Sequence, residues 1–299
     1  MIVSSSYKTD IPAFYGEWFR NRLDAGYCLM RNPYSGQVYR VGLKPEDVDA
    51  FVFWTKNAGP FLDTLDDVRR RGYAFAVQYA INGYPREIEW SVTEAARAVE
   101  HMKRIAGSFG PRAAVWRYDT ILMSSITDAD FHRANFERLA RMIEGTTDEV
   151  IVSFLQVYKK TRRNMDAAGR LFQFSWCDPE AQRKRELLGE LSAMARSRGM
   201  ALTVCTQPDL LIEGVAGEAR CIDAIRLSEL AGRWIGAKLR GVREGCACYQ
   251  SRDIGEYDTC PHGCIYCYAV SNRAAARRRW REHDPACEFL YTAPAFRAV

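Results

Sequence analysis

Six short apolar runs separated by helix-like segments constrain this chain more than any other feature. The runs are 1–6, 49–55 (DAFVFWT), 73–81 (YAFAVQYAI), 113–119 (AAVWRYD), 149–158 (EVIVSFLQVY) and 201–206 (ALTVCT). Each is short, continuous and rich in β-branched or aromatic residues, the pattern of a strand covered on both faces. Between them, 12–25, 60–71, 91–107, 128–144 and 179–198 carry helical periodicity, and Ser91 with Glu94 predicts a capping box for the third. A strand–helix alternation repeated six times predicts a parallel sheet built by right-handed crossovers. The expected α/β architecture is a partial (β/α)6 TIM-like barrel, with a doubly wound open sheet as the competing arrangement. At 299 residues, 47% of them hydrophobic, the chain can fill one core of that size, and no repeat or Gly/Ser linker divides it. The expected organisation is a barrel over 1–235 and a cysteine-rich, cluster-binding extension over 236–299.

In parallel barrels chemistry gathers where the strands end, because loops there vary freely while strand bodies are packed. The predicted strand ends are polar one after another: Thr9 and Asp10, then Thr55, Lys56 and Asn57, then Gln78, Tyr79 and Asn82, then Arg117 and Asp119, then Gln156, Tyr158 and Lys159, and finally Gln207 and Asp209. Together they predict one polar mouth. Taken singly, each is as readily a helix cap or a solvated loop residue, and Arg117 with Asp119 as readily a mutual salt bridge.

Ten cysteines need a reason. Cys28, Cys177 and Cys287 are scattered, whereas the other seven crowd into the last third. In a reducing compartment such crowding favours metal or redox chemistry over structural disulfides. Within DTCPHGCIYCYA, residues 258–269, Cys260, Cys264 and Cys267 stand in CxxxCxxC spacing. Three thiolates spaced this way can point inward from one tight loop and take three corners of a [4Fe-4S] cluster. The fourth iron is then open to a small chelator bearing an amine and a carboxylate, as S-adenosylmethionine (SAM) does. The competing reading is structural zinc, with His262 as a further ligand. Cys205, Cys221 and the Cys-x-Cys pair Cys246 and Cys248 make another four thiols, the full set for a second, closed [4Fe-4S] cluster or a zinc site. Singly, each is more simply a buried thiol that packs like a small hydrophobe.

The loop resembles the cluster-binding signature of the radical SAM superfamily. That resemblance implies a cluster on Cys260, Cys264 and Cys267 and places Tyr266 near the adenine of SAM. Position is the departure: in that superfamily the motif follows the first strand, whereas here it follows the last predicted helix. A barrel that closes on itself lets a C-terminal loop arrive over the mouth beside strand one. Through TDIPAFYGEWFRNRLDAGYCLMRNP, FVFWTKN, WRYD and DIGEYDTCPHGCIYCYA, the chain as a whole resembles the family known as domain of unknown function 1848. Where that family tends to carry paired arginines after the first strand, this chain has Tyr7 and Lys8.

The function expected is reductive cleavage of SAM to a 5′-deoxyadenosyl radical that acts on a small-molecule substrate, with electrons from a partner such as flavodoxin or ferredoxin. By position, Lys56 or Arg117 would steady the SAM carboxylate and Asp10 or Asp119 the ribose hydroxyls. Breaking a different C–S bond would instead transfer a 3-amino-3-carboxypropyl group, for example to trivalent arsenic held by the spare thiols. Two readings from other classes stand beside these: an iron-sulfur or zinc protein without turnover, and a nucleic-acid enzyme. The latter rests on SNRAAARRRWREH, where five arginines surround Trp280; the same run reads more simply as the solvated face of a terminal helix. The net charge of +5 suits an anionic ligand without specifying nucleic acid. No stretch approaches the ~18 apolar residues of a membrane span, and the N-terminus lacks a basic segment followed by an apolar run, so a cytoplasmic location is expected.

Overall fold

The computed structural model describes residues 1–33 and 35–292. Its main sheet has eight strands: β1 (Ile2–Ser5), β2 (Ala50–Thr55), β3 (Ala74–Ala80), β4 (Ala114–Ile121), β5 (Glu149–Phe154), β6 (Ala201–Val204), β7 (Gly217–Glu218) and β8 (Ser251–Asp253). All pair in parallel, in the spatial order β7-β6-β5-β4-β3-β2-β1-β8. The chain thus winds one way through seven strands and then returns to the far edge, where Ile2 faces Ser251 and Ser4 faces Asp253. A doubly wound sheet would reverse its direction at an interior strand, and this one does not. The sheet is not closed: β7 and β8 are its two edges. Because β8 lies beyond residue 235, the sheet runs across the boundary expected between barrel and extension.

Side-chain size sorts the two faces of the sheet. Phe51, Phe53, Phe75, Val77, Trp116, Tyr118, Val150 and Val152 turn to one face and pack with the helices. Ala50, Val52, Ala74, Ala76, Val115 and Ile151 turn to the other, against Ala219–Leu227 and Cys205. Period-two alternation produces this sorting, since neighbours along a strand point oppositely. The large-residue face is covered by helices Gly16–Ala25, Leu62–Arg70, Ala95–Phe109, Ala129–Ile143 and Ala181–Arg196, through buried residues such as Phe19, Leu65, Met102, Phe136 and Leu188. Toward the carboxyl ends the small-residue face turns polar: Ser4, Ser6, Gln78, Arg117 and Ser153 are all buried.

Some elements depart from expectation. The helix expected from 12 to 25 is two, Ile11–Phe14 and Gly16–Ala25, broken at Tyr15. The run expected to continue to 158 ends at Phe154, and a further helix, Lys159–Phe172, follows. The Ser91–Glu94 capping box does not form. That helix begins at Ala95 with Glu94 as N-cap, because Ser91 is drawn away: its N–H donates to the His262 carbonyl (2.9 Å) and its hydroxyl accepts from Arg273 Nη2 (3.1 Å). Among the described residues no helix is long and apolar enough to cross a membrane.

Candidate functional site

The segment after β8 crosses the carboxyl ends of the strands, and each crossing point has a chemical cause. Asp253, buried at the end of β8, accepts from Ser4 Oγ (2.9 Å), Ser6 Oγ (2.8 Å) and the N–H groups of Tyr7 (3.0 Å) and Gly255 (2.9 Å), with Lys8 Nζ at 3.4 Å. This pins the segment's start beside β1. The Tyr15 hydroxyl next donates to the Thr259 carbonyl (2.6 Å), and His262 Nε2 donates to Asp10 Oδ2 (2.7 Å). The cysteine loop then lies antiparallel against the turn after β3, with Glu89 bridged to Cys264 and the Ile265 N–H donating to the Ile88 carbonyl (3.1 Å). Gly263 makes the bend at φ 77°, where a Cβ would stand 2.5 Å from Arg273 Nε.

Cys260, Cys264 and Cys267 are half-buried and line one cavity of about 210 Å³ together with Trp90, Ala168 and Leu171. Burial raises all three thiol pKa values; the like charge of Asp10 adds to this at Cys260, and the Lys56 ammonium opposes it at Cys264. The Ala269 N–H donates to Cys267 Sγ (3.4 Å), the kind of contact that orients a thiolate. In the competing zinc reading His262 is a further ligand, but its ring is engaged elsewhere. Its Nε2 is committed to Asp10 and its Nδ1 faces the Ser91 carbonyl at 3.5 Å, so neither nitrogen is free for a metal on the thiols.

Beside the thiols lies a buried polar network centred on Glu89, which no sequence signal singled out beyond its being an acid set between Ile88 and Trp90. Its Oε1 accepts from Lys56 Nζ (2.8 Å), Asn82 Nδ2 (3.1 Å) and the Tyr266 hydroxyl. Asn82 Nδ2 also reaches the Tyr266 oxygen (2.9 Å), and Lys56 Nζ stands 5.7 Å from the Tyr266 ring centroid. Burial works against the charge on Lys56, but Glu89 and Cys264 outweigh it and leave its pKa raised. Asp10 is fully engaged: Oδ1 accepts from the Ala13 N–H (2.9 Å), Oδ2 from the Lys56 N–H (2.7 Å) and from His262. It holds the loop to the ends of β1 and β2.

Arg117 and Asp119 form the mutual salt bridge that stood beside ligand contact as their reading, Nη2 to Oδ2 at 2.6 Å. Burial would raise the Asp119 pKa, but the Arg117 guanidinium and the Ser153 hydroxyl prevail and lower it. Arg117 is itself buried, with Nη1 donating to Gln78 Oε1 (3.1 Å) and to Cys221 Sγ (3.0 Å). That second contact leads to the remaining thiols. Cys205 Sγ lies 3.5 Å from Cys221 Sγ, and Cys248 lies close enough to Cys221 and Cys246 to influence both thiols. The four therefore form a chain of contacts from Cys205 through Cys221 and Cys248 to Cys246. Among the described residues, no three His, Cys, Asp or Glu side chains are drawn into one coordination shell.

Of the residues predicted for the mouth, two groups come together: Lys56 and Tyr266 with the loop thiols, and Arg117 and Asp119 with the other four thiols. Asn82 joins them, since its Oδ1 accepts from the Asp119 N–H (2.9 Å). The arginine-rich helix, Arg273–Arg281, is not a free basic face throughout: Arg273 stacks 3.9 Å over Trp90 and Arg279 donates to the Tyr257 carbonyl (3.0 Å). Compared with known proteins, residues 2–269 match the model of one family, described as Domain of unknown function (DUF1848). No curated protein matches the chain.

Proposed function

The chain belongs to the DUF1848 family, and from that premise we propose that it is a radical SAM enzyme holding a [4Fe-4S] cluster on Cys260, Cys264 and Cys267. The observation that carries this reading is topological. β8, which leads into the cysteine loop, stands beside β1 at the sheet's edge. In space the motif follows the first of the strands β8-β1-β2-β3-β4-β5, although in the chain it comes last. The loop thereby has the relation to its sheet that the radical SAM superfamily gives it, as in a circularly permuted chain. The sheet reads as a partial barrel with its large residues outward, its small ones inward and a seam between β7 and β8. Across that seam the Tyr249 N–H donates to the Ile222 carbonyl (3.0 Å).

The residues present fit a cluster. Three thiols line one cavity wider than a lone ion needs, and Lys56 places positive charge next to Cys264. When bound, the cluster supplies the electron that splits SAM, and SAM supplies the 5′-deoxyadenosyl radical that takes hydrogen from a small-molecule substrate. Lys56, with N–H groups beyond the one Glu89 takes, is the cation best placed for the SAM carboxylate. Asp119 keeps 23% of its side chain exposed, which leaves it an edge toward the ribose. Tyr266, held by Glu89 and Asn82, presents its ring to the adenine, and Trp90 and Leu171 keep water from the thiols. Asp10 is a positioning residue in this scheme. Flavodoxin or ferredoxin is the expected class of electron donor.

The test is anaerobic reconstitution with iron and sulfide, then SAM and dithionite, with mass analysis of the products. The expected product is 5′-deoxyadenosine, absent from Cys260→Ala, Cys264→Ala and Cys267→Ala, which also lose their iron. Finding 5′-methylthioadenosine with a modified acceptor would replace hydrogen abstraction by aminocarboxypropyl transfer. Neither nucleoside from a loaded, reduced cluster would overturn the enzyme reading.

A further inference from the structure

We propose that Cys205, Cys221, Cys246 and Cys248 form a second metal centre, a tetrathiolate site for a single tetrahedral ion of the zinc class, which fastens the two open edges of the sheet together. The ligands come from both edges. Cys205 follows β6 and Cys221 follows β7 at one edge, while Cys246 and Cys248 precede β8 at the other. An ion held by all four closes the seam that the Tyr249–Ile222 hydrogen bond already spans.

Distance favours one ion over a disulfide or a cubane. Metal–sulfur bonds of about 2.3 Å in a tetrahedron put neighbouring sulfurs about 3.8 Å apart. Cys205 and Cys221 stand at 3.5 Å, far beyond the roughly 2.05 Å of a bonded pair. In a cubane each thiolate sits on a different iron, which holds the sulfurs further apart than on one ion. Cys205, Cys221 and Cys248 are buried and Cys246 is half-buried at the end of the exposed stretch 241–245. Swinging that end inward closes the chain of contacts into a shell, with the four thiol protons released to solvent.

Two hydrogen-bond donors are aimed at these sulfurs. The Ile222 N–H donates to Cys248 Sγ (3.4 Å), and Arg117 Nη1 donates to Cys221 Sγ (3.0 Å). A buried guanidinium aimed at a sulfur offsets the net negative charge that four thiolates leave on a divalent ion. Small hydrophobes would need no such partner. The same guanidinium bonds Asp119, so the centre is tied to the polar mouth through one side chain.

The experiment uses the full chain carrying Cys260→Ala, Cys264→Ala and Cys267→Ala, so that bound metal reports on these four thiols alone. Elemental analysis is expected to find about one zinc per chain and no acid-labile sulfide. Replacing zinc by cobalt(II) should give the intense thiolate charge-transfer and d–d bands of a tetrahedral sulfur site, lost on adding Cys221→Ser. As a check on folding, Cys28→Ser should keep both metal and bands. Iron with sulfide in this variant, a Cys205–Cys221 disulfide in the purified protein, or four freely titratable thiols with no metal would each overturn the proposal.

Discussion

Breaking the Lys56–Glu89 pair should cost more from one side than from the other, and the structure says which. The two side chains are only 14% and 4% exposed, so solvent screens their 2.8 Å contact weakly. Breaking a buried pair costs about 3–5 kcal/mol, because the surviving charge stays desolvated. Lys56 Nζ has Glu89 as its hydrogen-bond partner, so Glu89→Leu belongs at about 5 kcal/mol. Glu89 keeps Asn82 and Tyr266 as donors, so Lys56→Met belongs at about 3 kcal/mol. The double variant leaves no stranded charge and should lose about 4 kcal/mol where simple addition gives about 8, a coupling larger than most contacting pairs show. Urea unfolding of the full chain near pH 7.5, with and without reconstituted cluster, measures all four corners of the cycle. Additive losses would refute the account, and so would Lys56→Met costing more than Glu89→Leu.

His132 Nε2 faces the Leu122 carbonyl (3.0 Å), which can only accept, so Nδ1 must accept the Tyr118 hydroxyl (2.8 Å), and burial lowers the imidazole pKa to about 4. Between pH ~6.5 and that value the unfolded chain binds a proton the folded one refuses; stability should fall by about 3 kcal/mol as pH drops through this window and stay flat above it, and an unchanged acid slope in His132→Asn would refute this. Asp10→Ala removes a helix cap and strands the Lys56 N–H and His262, so it should cost about 3 kcal/mol and, unlike a surface change, lose reconstituted iron; full iron retention would show that the cysteine loop holds its place without it.

What could be read from the residues alone divides by range. Six strands were legible because runs such as AFVFWT and AFAVQYA carry their burial in their own side chains, large and small in alternation. β7 and β8 were not: Gly217–Glu218 and Ser251–Asp253 have two and three residues and no apolar run. What fixes β8 is the reach of Asp253 to Ser4 and Ser6, a contact across the whole chain that no local pattern announces. The cysteine loop was legible because three thiols within eight residues stand out by spacing alone, and the structure brings all three to one cavity. Glu89 was hidden because its partner Tyr266 lies 177 residues away. Asp10, Arg117 and Asp119 show a middle case: a charge at a strand end can be located from sequence but its partner cannot, and here the crossing loop brings His262 to Asp10 whereas Arg117 and Asp119 pair with each other along one strand.

The same reasoning explains how a motif at the end of the chain comes to resemble one at the beginning. A sheet wound in one direction leaves its first strand open on one side, and a short strand added late can pair only at an exposed edge. At one edge β7 already covers β6; at the other β1 offers Ile2 to Ser4. The buried hydroxyls of Ser4 and Ser6 need an acceptor there, and Asp253 is that acceptor. Once β8 is fixed in parallel beside β1, the chain must leave it over the carboxyl ends of the strands, where Asp10, Lys56 and Glu89 wait. The place of the cysteine loop follows from that edge pairing. Asp253→Ala should therefore loosen the loop's entry and lower the iron it retains on reconstitution, and full iron retention would show that the contacts to Asp10 and Glu89 hold the loop without the edge pairing.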